Sequence, residues 1–235
     1  MKNYKFLIFD LDDTLLDFQD TEKKSLEIIF KKYNIPFEEQ SIINYKFINK
    51  NLWNQLEKGY ISKEDVFSQR FEQFFKLYGH KVQGQTIEKE YRNYLNLGHK
   101  LIPSALESLT ILKDQGYKIF AGTNGVGKTQ RQRLNDSNLI YLFDDIFISE
   151  EIGFEKPNSE FFMAIFDKYT FMTKENTIMI GDSLSSDIQG AINFGIDSIW
   201  FNPSQQKASN IKSNYEIKDL SELLLILDKE RGSNE

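Results

Sequence analysis

The sequence has no cysteine, two histidines, four prolines and no apolar run long enough to span a bilayer. Without cysteine there can be neither a disulfide nor a thiolate metal site. His80 and His99 are the only imidazoles, and both fall near helix ends in a stretch of helix-like periodicity. A histidine zinc centre or a Ser-His-Asp triad is therefore poorly supplied. Positive charge is also short: Lys and Arg total 29 against 35 Asp and Glu, a net charge of −6. That balance argues against a nucleic-acid polymer as partner, because such binding needs a basic surface to displace counterions. A small phosphorylated ligand stays compatible, since a metal ion and a few cations can offset its charge locally. The apolar stretch before Asp10 is short and ends in acids, which suits a buried strand better than a signal peptide. With no membrane-spanning segment either, a cytoplasmic protein is expected.

What is present has a clear rhythm. Short apolar runs at Phe6–Phe9, Lys118–Ala121, Ile146–Ile148, Thr177–Ile180 and Ser198–Phe201 alternate with longer segments of helical period. Continuous apolar strands separated by helices predict an α/β fold, a parallel sheet covered on both faces. Between the first two runs lies a long insert with no convincing strand. Its segments Thr21–Tyr33, Glu38–Glu57, Lys63–Tyr78 and Thr86–Leu97 carry apolar residues at three-and-four spacing, predicting a small helical bundle. Ser62 should start a helix, with Gly59 and Gly79 as stops. After the insert, Pro103-Ser104-Ala105-Leu106-Glu107 has the form of a capping box opening a helix that Gly116 closes. The expected division is a catalytic core of residues 1–15 and 102–235 with a helical cap over 16–101.

In open α/β sheets, ligands bind beyond the carboxyl ends of the strands. The residues just after each apolar run are therefore informative. The first run leads into Asp10-Leu11-Asp12-Asp13, the second into Thr123-Asn124-Gly125, the third into Ser149-Glu150-Glu151 and then Lys156-Pro157, and the fourth into Gly181-Asp182 with Asp187 five residues on. So many acids on one edge would repel one another without a cation. Asp10 and Asp12 are two apart, so their side chains start on the same side. With Asp182 they offer the hard oxygen ligands that Mg²⁺ prefers. An aspartate can attack phosphorus and split one hard displacement into two easier ones. A second acid can protonate the leaving oxygen and later activate water. Thr123 offers a hydroxyl, Asn124-Gly125 leaves backbone amides open to phosphate oxygens, and Lys156 adds positive charge where negative charge accumulates. Asp187 would orient Lys156 or a metal-bound water. Each piece alone has an ordinary reading as a turn or a cap; their order, each after its own strand, is the specific signal.

These four segments resemble, in order, the four motifs of the haloacid-dehalogenase-like hydrolases, over nearly the whole chain. The resemblance implies a Rossmann-like core with a C1-type helical cap inserted after the first strand. It implies Asp10 as nucleophile and Asp12 as general acid/base, Thr123 and Lys156 on phosphate, and Asp182 completing a Mg²⁺ site with Asp187 in support. Within the superfamily the chain is most similar to the YjjG-type pyrimidine 5′-nucleotidases, through Ile48-Asn49-Lys50-Asn51-Leu52-Trp53, Arg70-Phe71-Glu72, Thr123-Asn124-Gly125 and Ile148-Ser149-Glu150-Glu151-Ile152-Gly153. Glu155 beside Lys156 is a departure, since a small uncharged residue is expected there. The implied activity is Mg²⁺-dependent hydrolysis of a nucleoside 5′-monophosphate through an aspartyl phosphate, by a monomer or weak homodimer. A sugar-phosphate or phosphoglycolate-type phosphatase, a phosphomutase and a non-catalytic phosphoacceptor module remain alternatives.

Two further features compete for attention. Residues 122–129 also fit the G-x-x-x-x-G-K-[ST] pattern of a P-loop. However, no downstream apolar strand ends cleanly in the acid that such a site needs. The insert is rich in aromatics: Phe37, Phe47, Trp53, Phe67, Phe71, Phe74, Phe75, Tyr91 and Tyr94. Most should pack the bundle. Asn49, Lys50 and Trp53, in a polar break, are the candidates for recognising a base.

Overall fold

The computed structural model describes residues 2–207 and 210–231. In chain order the elements are β1 (Phe6–Phe9), α1 (Phe18–Lys32), α2 (Glu39–Glu57), α3 (Lys63–Lys76), α4 (Gly84–Leu95) and α5 (Ala105–Asp114). Then come β2 (Lys118–Thr123), α6 (Gly127–Asp136), β3 (Asp145–Ile148), α7 (Ser149–Ile152), α8 (Ser159–Lys168) and β4 (Thr177–Gly181). A π-type turn at Leu184–Ile188 leads to α9 (Gln189–Phe194), β5 (Asp197–Phe201), β6 (Tyr215–Ile217) and α10 (Glu222–Arg231).

The chain divides into two compact units, Met1–Asp17 with His99–Glu235, and Phe18–Gly98. These boundaries fall two and three residues from those expected. Leu16 bridges Leu101 in antiparallel fashion, Asp17 N donates to Lys100 O at 2.8 Å, and both leucines pack against the core of the first unit.

The first unit is built on a parallel sheet of order β3-β2-β1-β4-β5-β6. Phe9 is in register with Ala121 of β2 on one side and Ile180 of β4 on the other. The alternation along β1 explains why its sequence is apolar throughout. Leu7 and Phe9 face a layer with Leu109 and Leu112 of α5, Leu134 of α6 and Leu223 of α10. Phe6 and Ile8 face the opposite layer, with Phe161 and Phe162 of α8 and Ala191 of α9. Each such fully buried side chain is worth about 1.5–3 kcal/mol. The chain runs outward from β1 to β3 and then restarts at β4 on the other side. The edge beyond β1, β2 and β4 is thus the point where the strand order reverses, where open α/β sheets place their ligands.

Two local expectations are corrected. A sixth strand, β6, was not foreseen: it is three residues long at the sheet edge, and only Ile217 is buried. Ser104 does not cap α5 with its side chain; it is left-handed, with φ of 63°.

The second unit is helical, with no strand among its described residues. Leu26, Ile29 and Phe30 of α1, Tyr45 of α2, Phe71, Phe74 and Phe75 of α3 and Tyr91 of α4 form its core. Phe30 and Phe74 stack at 4.6 Å. Ser62 opens α3 with a reciprocal capping box to Asp65. Gly59 and Gly79 take left-handed conformations just past α2 and α3, at φ of 72° and 76°, where a side chain would be strained. Phe47 departs from the packing role and is 68% exposed. Arg70 is buried among Phe67, Phe71 and Tyr91. Its Nε donates to Glu88 Oε2 at 3.0 Å and its Nη1 to Asn49 Oδ1 at 3.2 Å.

Candidate active site

Asp10 leaves the end of β1, its backbone N–H still donating to Ile180 O of β4 at 2.9 Å. That bond carries β1–β4 pairing one residue past the strand and fixes where the carboxylate starts. Lys156 comes from the loop between α7 and α8 and is 1% exposed. Its Nζ donates to Asp10 Oδ1 at 2.7 Å, to Asp187 Oδ1 at 2.7 Å and to Gly122 O at 2.5 Å. All three protons of the ammonium are therefore used, which suits a buried charge.

Asn124 holds that lysine in place through the backbone. Its Nδ2 donates to Lys156 O at 2.8 Å, and Lys156 N donates to its Oδ1 at 2.9 Å. The expected phosphate-binding trio is thus divided in what it touches. Asn124 clamps the lysine loop, whereas Gly125 N donates to Thr123 Oγ1 at 3.0 Å.

Asp182 lies just past β4 and is fixed from two sides. Thr14 Oγ1 accepts from Asp182 N at 3.1 Å and donates to Asp182 Oδ1 at 3.2 Å. Trp200 Nε1 donates to Asp182 O at 2.8 Å. Asp187, in the π-type turn, accepts from Ser183 N at 3.0 Å through Oδ2. It lies so close to Gly181 that a Cβ there would fall 2.3 Å from its Oδ2. Glycine at the end of β4 is what lets Asp187 approach.

Carboxylate oxygens of Asp10, Asp182 and Asp187 lie within 4.8 Å of one another. Burial pushes the Asp10 carboxyl up to about 8; Lys156 pulls against it, and Asp187 and Asp12 push it further. Burial, Asp187 and Asp10 raise Asp182 well above the usual carboxylate range. Burial disfavours the Lys156 ammonium, but Asp10 and Asp187 outweigh that and hold it above its ordinary value. The cluster is short of positive charge. Its donors are all oxygen, so the residues present fit a hard divalent cation such as Mg²⁺.

Asp12 is engaged elsewhere. Its Oδ1 pairs with Arg133 and its Oδ2 accepts from Gln130 Nε2 at 2.8 Å. Its carboxylate is outside the group formed by Asp10, Asp182 and Asp187. Gln130 and Arg133 were not anticipated. They sit three apart on one face of α6, a helix whose buried positions include Thr129, Gln130 and Arg133. A polar stripe on a helix just past a motif-bearing strand was the available signal.

The P-loop reading has no physical support. Lys128 is exposed, and Gly127 N donates to Glu150 Oε2 at 2.9 Å, a carboxylate where a phosphate would belong. In the helical unit, Asn49 is held by Arg70, Lys50 is exposed, and Trp53 is half-buried with its ring 6.3 Å from Phe67.

A parallel sheet with this rim of Asp, Thr, Lys and Asp defines a class. Residues 7–201 match the haloacid dehalogenase-like hydrolases, and the chain belongs to that family. Among solved structures, a magnesium-bound crystal form of YfnB from Bacillus subtilis superposes with a TM-score of 0.92 at 40% identity, covering 97% of this chain and 100% of that one. The pyrimidine 5′-nucleotidase PynA of Streptococcus pneumoniae is 37% identical over 227 residues, 96% of each chain. The pyrimidine 5′-nucleotidase YjjG of Escherichia coli is 28% identical, over 96% of this chain and 99% of its own. Among the described residues no helix is long and apolar enough to cross a membrane.

Proposed function

We infer that this chain is a Mg²⁺-dependent phosphatase that hydrolyses pyrimidine nucleoside 5′-monophosphates through an aspartyl phosphate on Asp10. The observation that carries the phosphatase reading is the junction of Asp10, Lys156 and Asp187, with Asp182 within reach. Similarity to PynA and YjjG supports the choice of substrate. Asp10 and Asp182 would hold the cation, with Asp187 beside them. When bound, the cation neutralises the carboxylates and orients a phosphate oxygen.

Asp10 attacks phosphorus with the carboxylate oxygen that Lys156 does not hold, and the ester bond to the leaving alcohol breaks. Lys156 and the Thr123 hydroxyl stabilise the charge on the transferring group. Asp12 gives a proton to the departing oxygen, then takes one from the water that opens the acyl phosphate. Asn49, Lys50 and Trp53 are assigned to base recognition, a cytoplasmic monomer or weak dimer being the form in which this proceeds.

Phosphate release from a panel of monophosphates with Mg²⁺ tests the reading. Pyrimidine nucleoside 5′-monophosphates should be preferred, and EDTA should abolish turnover. Much faster turnover of sugar phosphates would overturn the nucleotidase assignment while leaving the phosphatase standing. No phosphate release from any ester would overturn both.

A further inference from the structure

We propose that Gln130 is the positioning residue that sets the Asp12 carboxylate for proton transfer, with Arg133 as its anchor; this rests on the phosphatase reading above. Gln130 is 1% exposed and its amide makes three bonds within the rim. Nε2 donates to Asp12 Oδ2 at 2.8 Å and to Thr123 Oγ1 at 3.0 Å, while Oε1 accepts from Arg133 Nη1 at 2.9 Å. Arg133, also 1% exposed, pairs with Asp12 Oδ1. One side chain thus ties the first strand end to the second.

The route of that side chain is built into the neighbouring backbone. A Cβ on Gly125 would lie 2.4 Å from Gln130 Nε2. Gly125 is therefore needed as the gap through which Gln130 passes, besides any part its amide plays.

The chemical consequence lies in the lone pairs. A carboxylate has about four acceptor sites. One bond from Arg133 and one from Gln130 fix the plane of Asp12 and leave a lone pair on each oxygen for the reacting proton. Without Gln130 the carboxylate is held at one oxygen alone and can turn about that bond. Proton transfer needs heavy atoms within about 2.6–3.2 Å, so such turning slows the steps that move a proton and spares those that do not.

That difference is measurable with two esters. An alkyl phosphate, here a nucleoside 5′-monophosphate, has a leaving oxygen that must be protonated; p-nitrophenyl phosphate does not. The parameter kcat/KM reports only the steps up to departure of the leaving group, so slow opening of the acyl phosphate does not enter it. In the full-length protein with Mg²⁺, Gln130→Met keeps the bulk across Gly125 and removes all three bonds. We expect kcat/KM for the alkyl ester to fall roughly ten- to a hundredfold. For p-nitrophenyl phosphate it should fall less than about threefold, with kcat and KM dropping together because water activation is slowed. Gln130→Glu, which can still bond Arg133 and Thr123, should not restore the alkyl rate, since it cannot donate to Asp12. An equal fall in kcat/KM for both esters would make Gln130 a purely structural residue and overturn the proposal. If the unaltered protein hydrolyses neither ester, the phosphatase reading fails instead, and this proposal falls with it.

Discussion

Both units of this protein bury charge, and they do so to opposite ends. In the helical unit, Glu88 lies between the guanidiniums of Arg70 and Arg92, and Asn49 takes a further Arg70 donor. Aromatic rings of Phe67, Phe71 and Tyr91 surround that arginine. The opposite charges here are paired. At the strand ends of the α/β unit, carboxylate oxygens of Asp10, Asp182 and Asp187 crowd within 4.8 Å of one another, with one ammonium paired to Asp10 and Asp187, and two of those carboxyls are driven far from their usual range. A buried ion pair with its hydrogen bonds satisfied holds helices in register, whereas a buried excess of one sign is a cost that folding alone does not explain. The difference separates a structural polar core from a functional one.

The contrast between the two units is most exposed at Asp10. Asp10→Asn should lower phosphate release by more than about a thousandfold, as loss of a nucleophile does, while circular dichroism shows an unchanged fold. Retained activity would remove Asp10 from the chemistry altogether. Next in size, Glu88→Gln in the helical unit should leave Arg70 without its charged partner and cost about 3–5 kcal/mol by urea denaturation, as breaking a buried pair does. An unchanged midpoint would deny that the pairing is structural.

A smaller effect of the opposite sign is expected at Asp182. In EDTA, Asp182→Asn removes one of the crowded carboxylates and should raise the thermal midpoint by a few degrees, about 1 kcal/mol. With Mg²⁺ at a hundred times its dissociation constant, the unaltered protein gains about 2.7 kcal/mol, and the order should reverse. If Asp182→Asn is destabilised in EDTA as well, the cluster is not short of positive charge. Smallest of all, Lys128→Ala should leave activity and stability within about 0.5 kcal/mol, because Lys128 is exposed. A large loss would restore the P-loop reading.

The parts legible in the sequence were those written as uninterrupted patterns. A buried strand keeps an apolar run even where its first residues are polar, as Lys118, Thr177 and Asp197 are, so β1 to β5 stood out, together with the polar residues at their carboxyl ends. β6 did not, because a three-residue edge strand with Glu216 exposed looks like a loop. Gln130 and Arg133 were missed for a related reason. Burial of a polar residue depends on partners far away in the chain, here Asp12 and Thr123, and periodicity registers only apolar positions. The Ser104 box failed because its letters were right and its backbone was not. A residue at φ of 63° cannot present its hydroxyl to the first turn as an extended N-cap does.

The central claim is that phosphate passes through the Asp10 carboxylate with a divalent cation alongside. The most direct measurement is to quench turnover of a nucleoside 5′-monophosphate in acid and map the modified peptide by mass spectrometry. A phosphoryl group on Asp10, present with Mg²⁺ and absent with EDTA, is the predicted result. Steady turnover with no phosphorylated peptide, or with the group on another residue, would contradict it.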